Sequence, residues 1–213
     1  KYMNSLLLGE GQLGSPVGPI FDSVLSQEEL RGYQQFDAAR AKELWAEGGG
    51  DDVFPDGLRT VAATFSESAA NNVNFIAKEL ETNLGIKVTV TPQDLAAYVA
   101  VATARQKDWE FFMASEASLT TIPDYNALTF YVPTGYGAIF GNQRLDSPIP
   151  ETAAFAADAL RRFEEQGQEL DHAKRVEILR EMQIHFLTNF APVLPLPVGQ
   201  WTYFAHAKRV NNF

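Results

Sequence analysis

Residues 115–124 hold the densest set of side chains able to do chemistry. Ser115, Glu116, Ser118, Thr120 and Thr121 supply hydroxyls and one carboxylate, and Asp124 follows Pro123. Glu116 and Asp124 could serve as the acid and the nucleophile of a glycoside hydrolase, which needs two carboxylates facing one bond. The simpler reading is that Glu116 binds a ligand and Asp124 caps or closes a turn. It is preferred because a carboxylate near a cleft is common and a tuned pair is rare. The histidines, His172, His185 and His206, have no carboxylates at metal-ligand spacing beside them. No serine stands in a Gly-x-Ser-x-Gly context. Cysteine is absent, which excludes structural disulfides, thiolate chemistry and Cys-based zinc sites. Neither an enzyme nor a metal or cofactor site is expected.

The elements that must position such residues are clearest over residues 58–115. Residues 58–65 alternate Val61, Ala63 and Phe65 on one face, and residues 72–84 place Val73, Ile76, Ala77, Leu80 and Leu84 at helical spacing. Gly85 follows, where a helix end favours a left-handed backbone. Ile86, Val88 and Val90 alternate with Lys87, Thr89 and Thr91 as a half-buried strand. Thr91-Pro92-Gln93-Asp94 then reads as a helix start, with Thr91 as N-cap and Pro92 as first helical residue. Leu95, Tyr98, Val99 and Ala102 make its buried stripe, and the apolar run 111–114 is a strand covered on both faces. Val61, Val88 and Phe112 should all be buried. The fold class is therefore α/β, built on a β-α-β-α-β unit with parallel strands and helices flanking the sheet. Ligands in such sheets sit beyond the carboxyl ends of the strands. That points to the loops at 66–71, 91–95 and 115–121.

The rest of the chain is read around that unit. Its 213 residues can bury a proper core as one or at most two domains. A net charge of −10 argues against nucleic acid or an anionic membrane as partner. Residues 1–9 read as the second half of a helix, so the numbering is expected to begin inside a larger protein. Gly9, Gly11, Gly14, Pro16, Gly18 and Pro19 then punctuate a surface crossing segment; no Gly-Lys-Ser/Thr makes it a phosphate loop. Asp37 caps a short helix whose Ala38, Ala41, Leu44 and Trp45 face inward, ended by Gly48-Gly49-Gly50. Residues 123–150 form a long aromatic connection, of the kind that is usually functional or mobile. Residues 151–166 are a helix with Phe155, Ala159 and Phe163 inward and Gly167 at its end. Asp171 caps another, with Val176, Leu179, Met182 and Phe186 as its stripe and Arg175 a surface charge. Residues 193–196 are an edge strand carrying Pro195, and 201–205 a further extended run.

Taken in order, these pieces resemble the bacterial extracellular solute-binding proteins of family 5, the dipeptide- and oligopeptide-binding class that feeds ABC importers. The resemblance is carried by Phe36-Asp37 with Ala41-Lys42 and Leu44, the glycine cluster, Pro55-Asp56-Gly57, residues 76–80, Gly85-Ile86 with Val88, Asp108-Trp109-Glu110 and Pro123-Asp124. It continues through Asp171, Arg175, Gln183, Ala191-Pro192, Leu194-Pro195-Leu196 and Val210. It implies a periplasmic-binding-protein-like lobe, the C-terminal one of two. Residues 1–35 would lead in, 36–122 form the α/β unit, 123–150 the long loop, and 151–213 the closing helices and return strands. The N-terminal lobe would lie mostly before Lys1. The implied partners are a small solute and the importer's permease, and the implied location is extracytoplasmic.

By position in that family, the ligand would be lined by Phe65, Ser66, Leu95, Ser115, Glu116, Ser118, Leu119 and Thr120, with Tyr136 folding over. Peptide-binding members commonly supply an aromatic and an aspartate just before the Pro-Asp pair, the aspartate neutralising a peptide's amino terminus. Residues 115–121 contain neither, and Glu116 is their one charge. Either Glu116 takes over the contact with a cationic ligand group, or the ligand is neutral and hydroxyl-rich, as a sugar is. A peptide-like solute is favoured on family prevalence. A protein-recognition domain is the remaining class, for which the aromatic stretch 125–140 would supply an exposed patch.

Overall fold

The computed structural model describes residues 2–18, 21–103, 109–113, 132–134, 145–189 and 194–199. Its centre is a parallel pair of strands, β2 (Leu58–Ala63) and β3 (Val88–Gln93), in register from Leu58 opposite Val88 to Ala63 opposite Gln93. Helix α5 (Glu67–Leu84) makes the crossover between them. It begins five residues before the apolar periodicity does, because Ser66 caps it by accepting from Ala69 N at 3.3 Å. Gly85 ends it at φ +77, as expected. The Thr60–Ala63 part of β2 is buried, while β3 alternates between half-buried and exposed positions. β2 therefore behaves as an inner strand, with β3 on one side and the segment 109–113 on the other.

Four expectations for this unit are corrected. Thr91 and Pro92 do not open a helix; they lie in β3, opposite Val61 and Ala62. The cap is Asp94, whose side chain accepts from Ala97 N at 2.9 Å at the start of α6 (Leu95–Thr103). Proline lacks an N–H, so it fits a strand whose donor is not needed by a neighbour. The stripe on α6 is not buried either: Leu95 is 56% and Val99 49% exposed, and Tyr98 is half-buried. Residues 111–113 form no regular strand. Glu110 N and Phe111 N both donate to Arg59 O, at 2.9 and 3.5 Å, while the Glu110 carboxylate accepts from Arg59 N at 2.5 Å. A side chain thus takes the place of a ladder partner. Val61 is buried as expected, but Val88 and Phe112 are half-buried.

The lead-in is short helix α1 (Tyr2–Leu6), then β1 (Gly11–Gln12), which pairs antiparallel with β4 (Val198–Gly199). Leu194 to Pro197 have no regular structure, so the strand expected at 193–196 begins later. The glycine- and proline-rich segment is no surface crossing: Gly14, Pro16 and Val17 are buried. Gly14 is required there, since a Cβ would come within 2.1 Å of Leu196 O. Helix α2 (Gln27–Tyr33) follows, with a complete capping box between Ser26 and Glu29. Helix α3 (Ala38–Glu47) is capped by Asp37 as expected, but none of its residues is buried and Leu44 is exposed. One further turn, α4 (Gly50–Val53), leads to β2.

The main apolar cluster lies elsewhere, where α7 (Pro150–Gln168) packs on α8 (His172–Thr188). Phe155, Ala159, Leu179, Met182 and Phe186 meet Val17, Phe21 and Val132, with Phe163 and Ile178 against them. Gly167 sits inside α7 and does not end it, and Val176 is half-buried. Asp171 caps α8, accepting from Lys174 N at 3.1 Å. Arg175 donates to Gln166 Oε1 at 3.2 Å, so it is more than a surface charge. Buried Gln183 ties this hairpin to the lead-in. Its Oε1 accepts from Ser15 Oγ at 2.6 Å and Leu25 N at 3.3 Å, and its Nε2 donates to Ser23 O at 2.8 Å.

Candidate functional site

β2 and β3 run in the same direction, so their carboxyl ends open at one edge of the sheet. Thr64 closes that edge, donating to Gln93 O from its backbone N at 2.8 Å and from Oγ1 at 2.9 Å. Phe65 follows directly and is 52% exposed; Leu95, at the equivalent place after β3, is exposed as well. Residues that expose large apolar side chains beside a strand end are available for contact. Ser66 lies between them in role: its hydroxyl is committed to capping α5. The Asp94 carboxylate is committed to α6 in the same way. Both helix N-termini at this edge are thus satisfied from within the chain.

An aromatic chain backs the edge. Phe65 meets Tyr98 edge-on with ring centres 5.6 Å apart, Tyr98 lies 4.8 Å from Phe112, and Phe112 lies 5.2 Å from Trp109. Trp109 Nε1 donates to Val101 O at 3.3 Å, and the Tyr98 hydroxyl donates to Met113 O. Burial raises the Tyr98 phenol above its ordinary value, so it stays a donor. At the start of the same segment, the hydrogen bonds of Arg59 hold the Glu110 carboxyl below the usual range. Arg59 Nη2 lies 2.6 Å from Glu110 Oε1.

Of the residues implied to line a ligand, Phe65, Ser66 and Leu95 come to this one edge. Ser115, Glu116, Ser118, Leu119, Thr120 and Tyr136 lie outside the described residues, as does Asp124. The sequence reading missed Tyr98, which it assigned to a buried stripe, and Trp109, whose indole ties 109–113 to α6. A tyrosine and a tryptophan amid an apolar run were the available signal, because each brings a polar group that needs a partner when covered. A depression of about 270 Å³ lies beside the first turn of α5, lined by Leu6, Glu67, Ser68, Asn71 and Asn72. Among the described residues no group of three or more acids and histidines could hold a metal. No described helix is long and apolar enough to cross a membrane.

No family model and no curated protein matches the chain. Solved structures do. The periplasmic binding protein DppA of Helicobacter pylori, in complex with peptide STSA, matches 92% of this chain at TM-score 0.67 and 18% identity. The fold is that of the periplasmic peptide-binding proteins of ABC transporters. The Escherichia coli murein tripeptide binding protein MppA matches 93% of the chain at TM-score 0.65 and 20% identity. A periplasmic oligopeptide-binding protein of Thermotoga maritima, with mannohexaose bound, matches 94% at TM-score 0.61 and 18% identity. This chain spans 35%, 36% and 39% of the length of those three structures.

Proposed function

We propose that this chain is one lobe, the C-terminal one, of an extracytoplasmic solute-binding protein that hands a peptide-like solute to an ABC permease. One observation carries the reading: a fold shared with peptide-binding proteins has its strand ends at an edge where Phe65 and Leu95 stand exposed. Binding of this kind needs a second lobe to close over the solute, and the share of the solved structures that the chain leaves uncovered gives room for one. In sequence the segment 115–120 begins two residues after Met113, and Glu116 is its charged ligand contact in this reading. Catalysis is not part of this reading, and the Glu116 and Asp124 pair has no hydrolytic role in it.

Purified two-lobed protein, titrated by calorimetry with a defined pool of synthetic tetrapeptides, should bind at least one of them and leave it intact. Glu116→Ala should weaken that binding by about 1.5–3 kcal/mol, the range for a hydrogen bond to a charged group. Binding of none of the pool, or peptide cleavage lost in Glu116→Gln, would overturn the proposal. A carbohydrate ligand is the second reading, supported by the mannohexaose bound to the Thermotoga maritima protein of like fold. Saturation with mannohexaose and not with peptides would favour it.

A further inference from the structure

Tyr98 stands where three parts of the molecule meet. It belongs to α6, its ring touches Phe65 at the strand edge, and its hydroxyl bonds the Met113 carbonyl at the end of the segment 109–113. That segment is fastened to β2 near its start, where its backbone bonds converge on Arg59 and the Glu110 carboxylate grips both the backbone and the guanidinium of the same residue. Trp109 adds a second tie to α6 through Val101 O. A segment fixed at its beginning takes its direction from whatever holds its end. Among the described residues, the group recorded on the Met113 carbonyl is the Tyr98 hydroxyl. Two residues later in sequence begins the stretch 115–120.

Resting on the solute-binding reading above, we propose that Tyr98 is a positioning residue for the binding edge. By holding the Met113 carbonyl and the Phe65 ring on one side chain, it fixes the end of the segment 109–113 and couples it to the rim. Tyr98 contacts no solute in this role. It acts through Phe65 and through the backbone at Met113. The ring contacts and the hydroxyl separate cleanly, since Tyr98→Phe keeps the packing on Phe65 and Phe112 and removes the donor alone.

The test compares the two-lobed protein with its Tyr98→Phe variant by two measurements. Amide hydrogen exchange without ligand should quicken over 111–113 in the variant while β2 and α5 keep their protection. Dissociation of a tetrapeptide selected from the synthetic pool should quicken roughly two- to tenfold, the effect of losing one neutral hydrogen bond, with the melting temperature nearly unchanged. Exchange and dissociation equal to wild type would overturn the proposal. So would a lowered melting temperature with faster exchange spread evenly over β2, α5 and α6, because that marks a purely structural tyrosine. A wild-type protein that binds no tetrapeptide overturns the peptide reading instead, and the exchange measurement then decides the role of Tyr98 by itself.

Discussion

At the scale of single residues, the polar groups that matter most are those whose commitments cannot be met elsewhere. Glu29 closes the capping box of α2 and also takes Arg180 Nη2 at 2.5 Å, while Arg180 Nη1 donates to Val24 O at 2.9 Å. Bonds to Ser26, then to Arg180, lower its carboxyl from 4.5 to about 2. A depressed acid stabilises the fold above its unfolded value and loses that contribution as pH falls through the folded one. The melting-temperature gap between wild type and Glu29→Gln should therefore be full above 4.5 and close as pH approaches 2. A gap that stays constant across that window would mean the carboxylate contributes no charge-dependent stability. Gln183 makes the complementary case, with no charge. Replacing it with leucine leaves Ser23 O and Leu25 N without the partner they have now. Chemical denaturation should show a loss of about 2–4 kcal/mol, since each orphaned buried group costs roughly 1–3. Asp37, Asp171 and Gly85 were legible as caps from residue type and spacing alone. Gln183 was not, because its partners in the lead-in are 158 to 168 positions away in sequence.

At the scale of elements, what was legible is what repeats with a period. α5, α7 and α8 announced themselves by apolar spacing, and β2 was placed correctly, but its alternation did not hold: Thr60 to Ala63 are all buried and Phe65 lies beyond its end, exposed. The failures fall where one local rule competes with another. Thr91-Pro92 satisfies the rule for a helix start, yet the same residues extend a strand whose partner β2 runs to Ala63. Ladder bonds along six residue pairs outweigh a single cap, and Asp94 supplies a cap just downstream. Asp94→Ala should accordingly destabilise the protein by about 0.5–2 kcal/mol, and Thr91→Ala should leave α6 capped with little change. The reverse ranking in denaturant titrations would restore the earlier helix start. α2 was legible in principle: Ser26 and Glu29 are a capping box in plain sequence, overlooked among the glycines before it. The pairing of α7 with α8 carries a pH dependence of its own. His185 stacks on Phe155 and is half-buried, and burial lowers its imidazole below the ordinary 6.5, against the opposing pull of Asp158. The fold thus holds it neutral, and stability should fall as pH drops below 6.5, where the unfolded chain takes up a proton that the fold resists. A His185→Gln variant should lack that part of the pH dependence.

At the scale of the whole molecule, the telling contrast is between a hairpin that buries its apolar stripe and a strand edge that does not. Met182 and Phe186 on α8 are fully covered, whereas Phe65 and Leu95 stand about half exposed at the carboxyl ends of β2 and β3. Leaving such side chains half in water forfeits roughly half of the 1.5–3 kcal/mol that full burial gains. In the two-lobed protein proposed above, closure of a solute and the facing lobe over this edge would recover part of that and so couple affinity to closure, through rigid-body movement about a hinge. Small-angle scattering of the two-lobed protein should show a smaller radius of gyration when the bound tetrapeptide is added, and the isolated chain should show none. Phe65→Ser should leave the melting temperature of the unliganded protein near wild type, because the side chain is already half in water, and should shift the peptide titration to higher concentration. Compaction by the same amount in the isolated chain would place the movement inside this lobe and remove the hinge from the account. Equal affinity in Phe65→Ser would move the solute away from the strand ends altogether.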